Sequence, residues 1–181
     1  CDATLERIGR SHSGADTIAA YELARELGFT DINMDLIAAL PGETPEIFNE
    51  TLSRVIALEP ESVTVHSLSI KRSSRLHEEM HVSGAGHSQV SAAGAGEMIA
   101  CARARLMAAG WRPYYLYRQK YMAGNLENVG YAKPGCACLY NIGNMEETAS
   151  VLALGAGGIS KWLFGGRDLR IERAANLKNI E

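Results

Sequence analysis

The sequence predicts an α/β fold built on parallel strands. Three observations carry that prediction. Helical and strand patterns alternate through residues 1–69, joined by short connections. The two strand patterns, residues 31–38 and 63–69, each keep polar side chains on one face and apolar side chains on the other. Hydrophobic residues make up 46% and charged residues 22%, the composition of a domain with a core of its own. In the first strand Ile32, Met34 and Leu36 share a face, and Asn33, Asp35 and Ile37 share the other. The second face is too polar for a dry core, because a buried carboxylate has to be paired or hydrogen-bonded. A polar face repeated on consecutive strands favours a barrel or half-barrel around a ligand.

Asp2 is placed to cap a short helix carrying Leu5 and Ile8, ended near Gly9. Ser13 and Asp16 form a capping-box pattern, with Asp in place of the usual Glu. That helix runs to about Leu27, with Ile18, Tyr21, Ala24 and Leu27 as its buried stripe. Gly28 fits the left-handed position just past a helix. After the first strand, Leu40-Pro41-Gly42-Glu43 is a turn. Thr44 is an N-cap, and Pro45 takes the first helical position, where a missing N–H costs nothing. Ile47, Phe48, Leu52, Val55 and Ile56 repeat at helical period until Glu59-Pro60-Glu61. In the second strand Val63 and Val65 face one way, Thr64 and His66 the other.

Beyond Arg75 the texture changes. Residues 81–95, rich in Gly, Ser and Ala, read as a connection. Helical pattern returns over residues 90–109, with Met98, Ile99, Ala102 and Leu106 on one side, and Gly110 stops it. Residues 111–121 are aromatic and basic and read as a strand entering a loop, and residues 125–135 as loop. Short strands are expected at 138–142, 151–154 and 168–171, a glycine turn at 155–158, and a terminal helix from Ala174.

The formal net charge of -3 argues against a broad nucleic-acid surface. No apolar run approaches the ~20 residues that span a bilayer. Neither nucleic acid nor membrane is an expected partner. The cysteines, Cys1, Cys101, Cys136 and Cys138, show neither zinc spacing nor a disulfide framework, so no metal ligands are expected in this chain and the setting reads as reducing and cytoplasmic. The chain opens on Cys1 and enters a helix almost at once, which reads as a cut inside a larger protein.

Several stretches resemble one family. Ile8-Gly9-Arg10-Ser11-His12, residues 32–44 and residues 63–72, in that order, are similar to the oxygen-independent coproporphyrinogen III oxidases, radical S-adenosylmethionine enzymes of haem biosynthesis. Residues 117–135 resemble the coproporphyrinogen dehydrogenase branch, and Ala153-Leu154-Gly155-Ala156-Gly157-Gly158-Ile159-Ser160 resembles a glycine-rich segment of the wider family. The resemblance implies the C-terminal part of a partial (β/α)6 radical SAM barrel in residues 1–82, and a smaller α+β C-terminal region in residues 83–181. It implies S-adenosyl-L-methionine and a 4Fe–4S cluster as cofactors, and coproporphyrinogen III as substrate, with two propionates converted to vinyl groups. The family's C-x3-C-x2-C cluster motif is absent, and Cys136-Ala137-Cys138 cannot replace it. Its thiolates are expected in a missing N-terminal part of the same protein, a necessary partner without which this chain is inactive.

Residue by residue, Asp35 matches a position that holds the ribose hydroxyls of S-adenosylmethionine, and a carboxylate suits a diol. Arg10 matches an arginine that pairs with the methionine carboxylate; without the family it reads as a solvated residue at a helix end. Ser69 and Ile159 match cofactor contacts, by backbone and by apolar contact with adenine. Lys71 and Arg72 divide evenly between substrate carboxylates and a solvated loop. Arg118, within the run of tyrosines at 114–121, divides between a tetrapyrrole contact and an edge strand; single-stranded nucleic acid suits the same composition, but the acidic total argues against it. His66 reads as a bonded core residue. Ala39 stands where relatives usually carry Gly. A haem-binding chaperone is the rival, but its His-Asn-x-x-Tyr-Trp motif is replaced here by Glu127-Asn128-Val129-Gly130-Tyr131-Ala132.

Overall fold

Strand β1 (Asn33–Ala38) lies parallel to β2 (Ser62–Ser67), with Leu36 opposite Val65 and Asp35 opposite Thr64. The structure is a computed structural model and describes residues 1–68, 91–118, 126–165 and 170–178. It forms two compact units, Cys1–Ala137 and Cys138–Glu181. The boundary expected at residues 82 and 83 lies outside the described residues.

In the first unit the elements run α1 (Asp2–Arg7), α2 (Gly14–Glu26), β1, α3 (Pro45–Leu58), β2, α4 (Ala92–Ala108), β3 (Arg112–Tyr117) and β4 (Asn128–Ala132). The Ser13 capping box is present. Asp2 does not cap its own helix. Its carboxylate accepts the Gly14 N–H at 2.7 Å, tying the start of α2 to α1. Tyr21 is buried as expected, but Leu27 is exposed, because α2 ends one residue before it. Thr44 caps α3 and Pro45 opens it. Glu61 joins three elements: its carboxylate accepts from Arg25 at 2.7 and 2.8 Å and from the Ile32 N–H at 2.9 Å.

The sheet order is β1-β2-β4-β3, parallel only between β1 and β2 and antiparallel beyond, so it is mixed and open. Helices α3 and α4 cover one face. Phe48, Leu52, Val55, Met98, Ala102 and Leu106 pack there against Leu36, Ala38, Val63, Val65 and Tyr131. Truncating a buried ring such as Phe48 to Ala costs about 3–5 kcal/mol in cores of this kind. Trp111 is fully buried, with its indole N–H donating to Pro60 O at 3.2 Å.

Residues 128–132, expected as loop, form the inner strand β4 instead. Local propensity there is weak, and pairing on both sides, with β2 and β3, decides the conformation. Gly130 is central to it. A methyl at Gly130 would overlap the Tyr115 ring, which crosses this position so that its hydroxyl meets Thr64 Oγ1 at 3.4 Å. Glycine in a strand admits this close approach.

The second unit holds α5 (Leu139–Met145) and the antiparallel pair β5 (Ile159–Phe164) and β6 (Arg170–Ala175). Three expectations fail here. Residues 139–145 are helical, not a strand; a short apolar run does not reveal its own period. Of the strand expected at 151–154, Val151 alone forms a bridge, to Lys161. Residues 174–175 continue β6, and Asn176 N–H then bonds Gly158 O at 2.8 Å, so no helix starts at Ala174.

Gly130→Ala is expected to lower the unfolding free energy by about 1–3 kcal/mol, the usual range for forced overpacking. Chemical denaturation reads it, and in a Tyr115→Ala background most of the loss should vanish. A loss that persists there contradicts the ring contact as its cause.

Candidate functional site

The face of the sheet opposite the helices carries a hydrogen-bonded set of polar side chains. Asn33 and Asp35 come from β1, Thr64 and His66 from β2, Tyr115 and Tyr117 from β3. Asn33 Nδ2 donates to Asp35 Oδ1 at 2.7 Å, and Thr64 Oγ1 donates to Asn33 Oδ1 at 3.2 Å. His66 sits between Asp35 Oδ1, 3.7 Å from its Nε2, and the Tyr117 hydroxyl, 3.1 Å from its Nδ1. The Tyr115 and Tyr117 rings lie parallel, 2° apart with centroids 6.2 Å apart. His66 is thus bonded, as its sequence context suggested.

The Asp35 side chain is 62% exposed. The neighbouring His66 imidazole holds its carboxyl below the usual carboxylate range; partial burial opposes this, and the Asn33 amide adds to it. Asp35 is therefore an ionised acceptor with lone pairs to spare for hydroxyl donors. Burial pushes the Tyr115 hydroxyl up, which keeps it protonated.

At the C-terminal end of β1 the chain turns sharply. Ala39 has φ +66°, a left-handed conformation that costs a residue with a Cβ about 1–2 kcal/mol. Its backbone angle is not an ordinary one, so Ala is strained where Gly would be free. Side-chain contacts from Arg7 and Glu43 help to hold the turn. Arg7 Nη1 donates to Pro41 O at 2.8 Å, and the buried Glu43 carboxylate accepts the Leu40 N–H at 3.2 Å. Burial raises the Glu43 carboxyl to about 7, with the Leu40 and Ala39 N–H groups opposing. Sequence reasoning placed Glu43 in the turn but missed its burial; an acid beside Pro-Gly usually points to solvent.

No protein-family model matches the chain. The oxygen-independent coproporphyrinogen-III oxidase-like protein HemZ of Bacillus subtilis (strain 168) is 46% identical over 161 residues, covering 88% of this chain and 31% of that protein. The chain is a homologue of the oxygen-independent coproporphyrinogen III oxidase-like proteins. It spans about a third of the length of that relative. The haem chaperone HemW of the same organism is 37% identical over 70 residues, 39% of this chain and 18% of that protein. The solved coproporphyrinogen III oxidase (HemN) of Escherichia coli, described as a radical SAM enzyme, aligns with 99% of this chain and 39% of its own, at TM-score 0.67 and 20% identity. The homologue therefore has the fold of a portion of that enzyme.

In this homologue the residues singled out from sequence fall as follows. Asp35 lies on the open polar face, joined to His66. Arg10 is exposed on the loop after α1. Ile159 opens β5 in the second unit and is 57% exposed. Arg118 is exposed and pairs with Glu127 at 2.9 Å. Ser69, Lys71 and Arg72 lie outside the described residues. Tyr115 and Tyr117 join the polar face only through the β3–β4–β2 pairing, which the sequence did not reveal. Among the described residues no group of three or more His, Cys, Asp or Glu side chains could hold a metal ion, so these residues do not fit a 4Fe–4S cluster. Asp35, open and ionised, does fit a ribose. Among the described residues no helix is long and apolar enough to cross a membrane.

The raised Glu43 carboxyl has a stability signature. The unfolded chain ionises this group near its ordinary 4.5, the folded chain near 7, so its penalty is absent below about pH 4.5, grows up to about pH 7 and is constant above. Glu43→Gln should therefore gain on the parent chain as pH rises through that window, by up to about 3 kcal/mol. Denaturation midpoints across pH read it; a difference independent of pH contradicts the assignment.

Proposed function

We propose that this chain forms one wall of the S-adenosylmethionine site in an oxygen-independent coproporphyrinogen III oxidase. The whole protein would convert two propionates of coproporphyrinogen III to vinyl groups with loss of CO2, giving protoporphyrinogen IX for haem. The observation that carries the reading is Asp35: an ionised carboxylate, steadied by Asn33 and His66, on the sheet face opposite α3 and α4. Such a group accepts the two hydroxyls of a ribose. S-adenosylmethionine, when bound, supplies the one-electron chemistry that removes a hydrogen from an unactivated carbon.

In this reading Arg10 pairs with the methionine carboxylate of the cofactor, Ser69 meets it through backbone, and Ile159 lies against adenine. Lys71, Arg72 and Arg118 meet substrate propionates. Among the described residues Arg118 is held by an exposed pair with Glu127, worth about 0–1 kcal/mol, so a propionate can displace that partner. The 4Fe–4S cluster and its thiolates belong to the remainder of the same protein. The cysteines, free in all four cases, suit a reducing cytoplasm.

The chaperone reading draws on the HemW relative. Against it, the segment where chaperones carry His-Asn-x-x-Tyr-Trp has Glu127 in an ion pair, with Asn128 and Tyr131 buried in β4.

The full-length protein, assayed anaerobically with S-adenosylmethionine, reductant and coproporphyrinogen III, should yield protoporphyrinogen IX. Asp35→Ala should weaken S-adenosylmethionine binding by about tenfold or more, the size of a charged hydrogen bond, while the iron–sulfur absorbance is unchanged. Unaltered binding removes Asp35 from the site. Tight stoichiometric haem binding with no decarboxylation would favour the chaperone instead.

A further inference from the structure

In the second unit two cations face each other across a strand pair. Lys161 of β5 stands directly opposite Arg173 of β6. Like charges in that position oppose pairing. Lys161 is also buried, at 6% exposure, and its ammonium donates to Asn144 O at 3.1 Å and Asn144 Oδ1 at 2.9 Å. Both acceptors are neutral. A buried charge is costly unless it is paired, and an ammonium has three protons to place. Glu147 approaches Arg173, but loosely, at 3.6 Å.

These side chains line a cavity of about 430 Å3, together with Tyr140, Val151 and Ile159. Among the described residues two cations face one carboxylate, so this part of the wall is net positive. Val151, Ile159 and the Tyr140 ring add apolar surface beside the charges.

We propose that Lys161 and Arg173 form a binding pocket for an organic carboxylate. A carboxylate there would take the remaining ammonium proton and the guanidinium fork, and would relieve the cross-strand repulsion. Its hydrocarbon stem would lie against Val151 and the Tyr140 ring. On the tetrapyrrole reading above, on which this last step rests, the occupant is one propionate of the substrate.

Two probes on the full chain separate the site from its occupant. Glutarate, a simple dicarboxylate, should shift the backbone amide signals of residues 159–163 and 171–175 in an NMR titration, and added salt should weaken the effect. Coproporphyrin III, which keeps the four propionates in a stable ring, should bind at least about tenfold more weakly to Arg173→Gln and to Lys161→Met, the size of one charged hydrogen bond. Arg173 is exposed and carries no core packing, so its variant stays informative if Lys161→Met fails to fold. No amide shifts with glutarate at millimolar concentration overturns the pocket. Equal coproporphyrin III binding by parent and both variants overturns the propionate assignment and leaves the tetrapyrrole reading intact. Glutarate binding with no coproporphyrin III binding supports the pocket and counts against the tetrapyrrole reading.

Discussion

The parallel pairing of β1 with β2, with one face buried and the other open, is the constraint on which the rest of the first unit depends. Side chains alternate along both strands. Burying Leu36, Ala38, Val63 and Val65 under α3 and α4 therefore turns Asn33, Asp35, Thr64 and His66 the other way. Each buried Val or Leu is worth about 1.5–3 kcal/mol over its exposed state. A slip of one residue would exchange the faces and push Asp35 into the core. The hydrophobic core and the polar site are thus set by the same register.

What the polar face then becomes depends on β3 and β4. Their antiparallel addition brings Tyr115 and Tyr117 over Thr64 and His66. Gly130 makes this possible by leaving the space that the Tyr115 ring occupies. The result is a chain of side-chain contacts from Tyr115 through Thr64, Asn33, Asp35 and His66 to Tyr117. Networks of this kind hold their members in defined orientations when each is satisfied. The turn beyond β1 is held by different means, with the Arg7 contact and the buried Glu43 offsetting the strain at Ala39.

Much of this was legible in the sequence wherever a local rule suffices. The capping box at Ser13, the Thr44–Pro45 start of α3 and the alternation in β1 each rest on contacts within a few residues. Asp35 stood out because a carboxylate interrupts an apolar strand. The illegible parts depend on distant partners. Residues 128–132 are a strand because β2 and β3 flank them, and nothing in Asn-Val-Gly-Tyr-Ala declares that. Glu43 is buried by the turn's own fold, and Lys161 meets Arg173 only through the pairing of β5 with β6. The family resemblance pointed to Ile159 but not to the charges beside it.

On the proposed reading the cofactor lies against the polar face of β1 and β2. Hydrogen–deuterium exchange on the full-length protein, with and without S-adenosylmethionine, tests it most directly. Exchange should slow in β1, β2 and the turn at residues 39–43, with the interior of α3 and α4 unchanged. Protection confined to other elements, with β1 and β2 unaltered at saturating cofactor, would contradict it.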